Sequence, residues 1–206
     1  IFKSYIMDES IVKRERVMVW LVKFAPLVIL KEKNQLKQKN LNMKVLGIGN
    51  AIVDVICKVE ENFIKEKNLT KGTMKLFFDE IEFKSLLGSL KIEKTISGGS
   101  VANSIVGLSQ LKNDVGFIGK ISDDVFGAKY EEGLKKENVQ YFYTKDKENL
   151  PTGTCLILVT PDSERTMCTF LGIAGKINER DVDEKIIKKS ELVFLEGYLW
   201  DEGEPK

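Results

Sequence analysis

Strand and helix patterns alternate along the chain from Met43 onward, and this alternation is the feature that most constrains the fold. Residues 44–49 and 52–59 are rich in β-branched and apolar residues and predict one continuous buried strand. Further strand patterns lie at 72–78, 115–121, 154–160, 165–170 and 192–196, with helical patterns at 61–67, 80–90, 100–111, 128–137 and 181–189. Such alternation predicts an α/β fold in which helices flank a mostly parallel sheet. The turn residues 161–164 join two of the extended runs and predict an accessory antiparallel hairpin.

The first 42 residues differ in charge from the remainder of the chain. They hold nine Lys or Arg and four Asp or Glu residues, whereas residues 43–206 carry a net charge of −4. The apolar run 17–30 is 14 residues long, shorter than the roughly 20 that cross a bilayer, and no small-residue cleavage site follows it. We expect residues 1–42 to be a basic leader outside the domain, with Met43 as the natural start and residues 43–206 as the domain. A membrane anchor is the alternative interpretation.

Composition excludes several kinds of chemistry. The chain has no histidine, so Ser-His-Asp and Cys-His nucleophile systems and imidazole zinc sites are excluded, and no metal site is predicted. A net charge of +1 gives no support for nucleic-acid binding. Cys57, Cys155 and Cys168 are widely spaced and form no C-x-x-C pair, which is typical of a reduced cytoplasmic protein without disulfides.

Two glycine-containing stretches are similar to nucleotide-binding motifs but do not meet their requirements. In 116–121 the glycines are too close together and Ile121 replaces the Ser or Thr of a phosphate-binding loop. Gly47 and Gly49 begin like a dinucleotide fingerprint, but Ile52 stands where the third small residue is needed. A nucleotide-dependent oxidoreductase is therefore a disfavoured alternative.

Asn50 and Asp54 form the first candidate site. They are separated by an even offset in extended chain, so both side chains should leave the same face of a strand. An amide and a carboxylate side by side suit the donor and acceptor needs of sugar hydroxyls. The alternative is structural: Asn50 caps a turn and Asp54 faces solvent.

The segment 97–103, Ser-Gly-Gly-Ser-Val-Ala-Asn, is the strongest local signal. Gly98 and Gly99 let the backbone approach a ligand closely, and the helix that follows offers free N–H groups. Asn103 falls in the first helical turn, within reach of the same ligand. An ordinary tight strand-to-helix turn is the alternative. Further along, Ser122 or Asp123 is predicted as the N-cap of the next helix.

These segments together resemble the N-terminal part of the ribokinase-type (PfkB) carbohydrate and nucleoside kinase family. The resemblance rests on VLGIGNAIVD, SGGSVAN, FIGKISDDVFG, TGTCLILVTPDSERTM and LVFLEGYLWD. The last two are most similar to the bacterial adenosine-kinase-like branch. The family implies an α/β core with a small antiparallel β lid, here about residues 72–78 and 152–170. It also implies transfer of the γ-phosphate of ATP, with Mg²⁺, to a primary hydroxyl of a ribosyl nucleoside or sugar.

The family also implies roles for individual residues. Residues that match its sugar-binding positions are Asn50, Asp54, Gly98, Gly99, Asn103 and, on the lid, Arg165. Lid strands in this family sometimes pair between subunits, so a homodimer through the lid is one expectation. The expected partner is otherwise only the small-molecule sugar or nucleoside, with no membrane or nucleic acid.

One family signature has no match in the sequence. The motif D-T-x-G-A-G-D supplies the catalytic base, and the nearest stretch, 171–175, contains no Asp. We therefore expect the base and the ATP and Mg²⁺ segments to lie beyond Lys206, and the chain to be an inactive fragment that keeps most of the sugar side. A non-catalytic sugar- or nucleoside-binding module is the alternative function.

Overall fold

The structure is a computed structural model that describes residues 17–22, 25–31, 43–143 and 150–200, with side chains described in 43–143 and 150–198. The strands are β1 (Val17–Val22), β2 (Ala25–Lys31), β3 (Val45–Ile48), β4 (Ile52–Lys58), β5 (Met74–Phe77), β6 (Ile92–Gly98), β7 (Val115–Ile118), β8 (Gln140–Phe142), β9 (Gly153–Val159), β10 (Arg165–Phe170) and β11 (Leu192–Leu195). The α-helices are α1 (Glu61–Glu66), α2 (Glu80–Gly88), α3 (Ser100–Gln110), α4 (Val125–Lys136) and α5 (Glu184–Lys189). Short 3-10 turns cover Gly172–Lys176, Glu179–Asp181 and Gly197–Trp200.

Within the described residues the strands form two sheets. The main sheet has the order β1-β2-β11-β3-β7-β8, and its strands from β11 to β8 run parallel. The second sheet, which we call the lid sheet, has the order β5-β10-β9-β4-β6. Helices flank the parallel strands, which confirms the predicted α/β class.

The lid sheet combines parallel and antiparallel pairs. β9 and β10 form the predicted antiparallel hairpin, with Arg165 opposite Val159 and Phe170 opposite Thr154. β4 pairs parallel with β9 and antiparallel with β6. β5 pairs parallel with β10. The sheet is thus mixed, and it contains both segments predicted as lid.

The prediction of one continuous strand over residues 44–59 is wrong. β3 belongs to the main sheet and β4 to the lid sheet, so the chain changes sheets between Ile48 and Ile52. Apolar and β-branched residues suit both strands, and periodicity alone does not show the break between them. Gly49 lies at the break between the two strands, and a Cβ atom at this position would lie 3.0 Å from Glu196 Cδ.

The contact between α3 and β3 explains the glycine at position 47. A Cβ atom at Gly47 would lie 2.6 Å from side-chain atoms of both Val101 and Ile105. The two helix residues are completely buried against the strand. Gly47 therefore lets the helix pack closely enough to bring its N-terminus to the carboxyl end of β3.

The N-cap of α4 is Asp124, not Ser122 or Asp123 as predicted. Asp124 Oδ1 accepts from the Gly127 backbone N–H at 2.7 Å and from Thr152 Oγ1 at 2.8 Å. Its Oδ2 accepts from the Thr152 backbone N–H at 2.8 Å. The bonds to Thr152 come from the segment before β9, and their contribution was not visible in the local sequence.

Two described strands fall within residues 1–42. β1 and β2 form an antiparallel hairpin, and β2 pairs antiparallel with β11. Residues 1–16, 23–24 and 32–42 lie outside the described residues, and the assignment of 1–42 as a leader stays a prediction. No helix in the described part of the chain is both long and apolar enough to cross a membrane.

Candidate functional site

A cavity of about 780 Å³ lies between the lid sheet, the N-terminus of α3 and the carboxyl end of β11. Its polar lining comes mainly from the β3–β4 connection, β4, the start of α3 and the residue after β11, and it consists of Asn50, Asp54, Gly99, Ser100, Asn103 and Glu196, with Thr169, Lys176 and Tyr198 in addition. The carboxyl ends of parallel strands are the usual place for a ligand in an α/β fold. This cavity is therefore the candidate functional site.

Asp54 projects from β4 and is half-buried. It pairs across the lid sheet with Cys155 on β9 and with Ile96 on β6. Burial raises the pKa of this carboxyl from its usual value near 4 to about 6. A carboxylate held in this environment gains from accepting hydrogen bonds, and the hydroxyls of a polyol supply them.

Gly98 and Gly99 shape the floor beside Asp54. A Cβ atom at Gly98 would lie 2.5 Å from Asp54 Cγ, so only glycine leaves room for this carboxyl group. Gly99 has φ of 99°, a conformation that favours glycine, and a side chain there would collide with the Asn50 carbonyl oxygen. The two glycines therefore bring the strand β6, the start of α3 and the β3–β4 connection into contact.

Glu196 connects the polar groups of the cavity. Its Oε1 accepts from the Asn50 backbone N–H at 2.6 Å, and its Oε2 accepts from Ser100 Oγ. The Val101 backbone N–H also donates to this carboxylate. Burial raises the pKa of Glu196, while these donors oppose the increase.

The structure brings five of the six predicted site residues together. Asn50, Asp54, Gly99 and Asn103 line the cavity, and Gly98 packs against Asp54. The expectation that Asn50 and Asp54 share one face of one strand is wrong. Asn50 lies in the connection before β4 and reaches the cavity from there, because the chain changes sheets at this point.

Arg165 is the predicted residue that the structure does not bring to the cavity. It is exposed at the start of β10, opposite Val159. Met167, two positions further along β10 and about 7 Å away at the usual rise per residue, lines the cavity, as does Thr169, whereas Arg165 does not belong to the lining. In the described conformation Arg165 therefore lies outside the cavity lining, on the same strand face as Met167 and Thr169.

Sequence reasoning missed Glu196 as a site residue. It is 3% exposed, and it directly follows the four apolar residues of β11. An acidic residue at the carboxyl end of a buried parallel strand was the available signal.

The other half of the cavity is apolar. Met74 and Leu76 of β5, Phe78 just after it, and Met167 of β10 line this half, together with Leu150. Phe78 is 73% exposed and Met74 53% exposed, so both present apolar surface to the opening. Such a combination of a polar end and an apolar end is typical of a small-molecule site.

Metal-binding groups are not clustered in the described part of the chain. Among those residues, no group of three or more Asp, Glu or Cys side chains could hold a metal ion. The three cysteines are free and buried.

Comparison with known proteins places this geometry in a family. The family model described as "pfkB family carbohydrate kinase" matches residues 79–205 of this chain. A 5-dehydro-2-deoxygluconokinase of Clostridium beijerinckii is 32% identical over 130 residues, which cover 61% of this chain and 38% of that protein. A 5-dehydro-2-deoxygluconokinase of Mesomycoplasma hyopneumoniae is 27% identical over 128 residues.

Two solved structures have similar folds. Adenosine kinase from Sinorhizobium meliloti matches with a TM-score of 0.73 and 31% identity, covering 80% of this chain and 50% of that one. A probable sugar kinase protein from Rhizobium etli matches with a TM-score of 0.72 and 30% identity, covering 79% and 49%. The chain thus spans about two fifths of the length of the curated relatives and half of these structures. From the extent of the family match and the agreement in fold, the chain belongs to the pfkB family of carbohydrate kinases.

Proposed function

We propose that this chain provides the acceptor side of a kinase that phosphorylates a primary hydroxyl of a ribosyl nucleoside. The polar end of the cavity would hold the ribose hydroxyls through Asp54, Asn50 and Asn103. The apolar end would hold the base. ATP supplies the phosphoryl group and Mg²⁺ the charge neutralisation in such a transfer, and we assign neither to a described side chain.

The length of the cavity is the observation that favours a nucleoside over a single sugar as the ligand. Asp54, Cys155, Thr169 and Leu76 lie opposite one another on four successive strands, β4, β9, β10 and β5. Strands are spaced about 4.8 Å apart, so roughly 14 Å separates the Asp54 and Leu76 positions. A single sugar ring covers only part of that span, whereas a ribose with an attached aromatic base extends from the acidic to the apolar end.

A free sugar or sugar acid is the second candidate acceptor. The curated relatives named 5-dehydro-2-deoxygluconokinase favour it. The described lining argues against a charged acid, because it contains one cationic side chain, Lys176, and two carboxyl groups, those of Asp54 and Glu196.

Calorimetry on the 206-residue chain tests the proposal, with adenosine, D-ribose and 5-dehydro-2-deoxygluconate as ligands. We expect adenosine to bind at least about tenfold more tightly than ribose, because only adenosine buries the apolar half. Tighter binding of the sugar acid would contradict the nucleoside assignment. Asp54→Asn should abolish adenosine binding, while the exposed Asp114→Asn change should leave it intact.

A phosphotransfer assay separates the kinase from a binding module. The 206 residues contain no D-T-x-G-A-G-D motif, so we expect adenosine binding without turnover of Mg²⁺-ATP from this chain. Measured turnover would contradict the expected inactivity. A natural full-length protein without that motif would favour the non-catalytic binding module. Cytoplasmic location and a lid-mediated homodimer belong to the same proposal, and sedimentation of the chain tests the second.

A further inference from the structure

Glu196 touches both segments that form the polar end of the cavity. One segment is the β3–β4 connection, whose Asn50 N–H donates to Oε1 at 2.6 Å and whose Asn50 side chain also hydrogen-bonds the carboxylate. The other is the start of α3, where Ser100 Oγ donates to Oε2 and the Val101 N–H donates to the same group. Glu196 itself belongs to neither segment, since it follows β11.

The carboxylate substitutes for an N-cap side chain on α3. The N-cap residue is Gly99, which has no side chain and makes no capping bond. The first N–H groups of a helix need acceptors, and the partial positive charge of the helix N-terminus favours an anion. Glu196, which follows the carboxyl end of β11, supplies both the acceptor and the negative charge. The N-terminus of α3 is therefore already paired with an internal carboxylate.

We propose that Glu196 is a positioning residue: it sets the spacing of the Asn50 and α3 segments and the orientation of the Asn50 amide toward the ligand. This role rests on the proposed function for its ligand, but its contacts exist without one. Because the carboxylate also takes the anion position at the N-terminus of α3, that N-terminus is closed to an anionic group of the ligand. Asp54 adds a second acidic group to the same end.

Two substitutions distinguish this positioning role from simple packing of the Glu196 side chain. Glutamine has the shape of glutamate, so Glu196→Gln keeps one acceptor oxygen and the volume but removes the charge and one acceptor. Ser100 is exposed, so Ser100→Ala removes one donor without creating a buried cavity. Glu179, which is exposed and outside the cavity, provides the matched control Glu179→Gln.

The first measurement needs no ligand. Amide hydrogen exchange of the full chain, read by NMR, should show exchange at Asn50 and Val101 at least about tenfold faster in Glu196→Gln than in wild type. Amides in the middle of β9 report global stability and should change less. Ser100→Ala should accelerate exchange at the start of α3 by a smaller factor. Unchanged exchange at Asn50 and Val101 in Glu196→Gln would overturn the proposal.

The second measurement compares the binding of a neutral ligand with that of an anionic ligand. A residue with only a structural role would not change the ratio of the two affinities. Affinities for adenosine and for its 5′-carboxylate analogue are compared by calorimetry in each variant. We expect Glu196→Gln to weaken adenosine binding by about tenfold and to shift the ratio of the two affinities several-fold toward the anion. Glu179→Gln should leave both values unchanged. An unchanged ratio in Glu196→Gln would overturn the assignment of the anion position at α3 to Glu196.

The two measurements distinguish this proposal from the proposed function. Wild-type chain that binds neither ligand would contradict the nucleoside assignment. The exchange rates at Asn50 and Val101 would still decide whether Glu196 positions the two segments. Normal adenosine binding in Glu196→Gln together with unchanged exchange would contradict the positioning role and leave the nucleoside assignment supported.

Discussion

Gly98 and Asp54 face each other so closely that a Cβ atom at Gly98 would lie 2.5 Å from Asp54 Cγ. The two residues lie on the antiparallel strands β6 and β4, where Asp54 is opposite Ile96 and Gly98 is opposite Ile52. The absence of a side chain at position 98 leaves space for the carboxyl group. One glycine therefore determines where the acidic group of the cavity can sit.

Gly98→Ala should displace Asp54 and weaken adenosine binding by at least about tenfold. The overpacked methyl group should also lower the free energy of unfolding by about 1–3 kcal/mol. Calorimetry and urea denaturation measure the two effects. Gly107→Ala is the matched control: it lies in α3 with nothing within 4 Å of its added Cβ, and we expect it to stabilise the chain by about 0.5–1 kcal/mol. Normal binding in Gly98→Ala would show that the carboxyl position is not fixed by this contact.

The raised pKa of Asp54 predicts a pH-dependent stability. Its pKa in the folded chain is about 6, above the value near 4 expected when unfolded. The folded state therefore holds the proton more tightly, and the stability present below pH 4 is lost as the pH rises through 6. Allowing for partial exposure, the loss is roughly 2 kcal/mol.

Asp54→Asn removes this titration and tests it. The variant should be more stable than wild type at pH 8, and the difference should disappear at pH 4. Urea denaturation at the two pH values measures it, with Asp114→Asn as the exposed control. Equal stability of Asp54→Asn and wild type at pH 8 would show that burial does not perturb this carboxyl group. Its predicted loss of adenosine binding makes Asp54 a residue kept for function at a cost in stability.

The local parts of the site could be predicted from the sequence. A glycine pair that ends a strand and begins a helix is a short-range pattern, and the structure places Gly99 at φ of 99° at the N-terminus of α3. The resemblance and the residue types indicated Asp54, although the argument that it shares a strand face with Asn50 was wrong. Periodicity did not show that the chain leaves one sheet for another after Ile48.

The long-range parts could not be predicted. Glu196 is 146 positions from Asn50, and only the pairing of β11 with β3 brings them together. The edge strand β6 was missed because its exposed Glu93 and Lys94 do not form a buried strand pattern. Arg165 was assigned through resemblance alone, and its position at the start of β10, two residues before Met167, leaves it outside the cavity lining.

Asp124→Ala should destabilise the chain through two separate losses. It removes the N-cap of α4, which is worth about 0.5–2 kcal/mol. It also leaves the buried Thr152 without its carboxylate partner. We expect the free energy of unfolding to fall by about 2–3 kcal/mol in urea denaturation. Glu132→Ala, at an exposed position within α4, should change it by less than about 0.5 kcal/mol. Equal effects of the two changes would contradict the capping role of Asp124.

Phe78→Ala tests whether the apolar end of the cavity binds a base. Phe78 lines the cavity but is 73% exposed, so its truncation should hardly affect folding. Loss of its ring should weaken adenosine binding by about tenfold, since aromatic contacts contribute about 1 kcal/mol beyond the buried area. Binding of D-ribose, which reaches only the polar end, should stay within about twofold.

Ile81 is 79% exposed on α2 and outside the cavity lining, so Ile81→Ala is the matched control and should change neither affinity. Calorimetry with both ligands measures the difference. An equal loss for adenosine and ribose would show that Phe78 does not contact a base, and the nucleoside assignment would then lose its structural support.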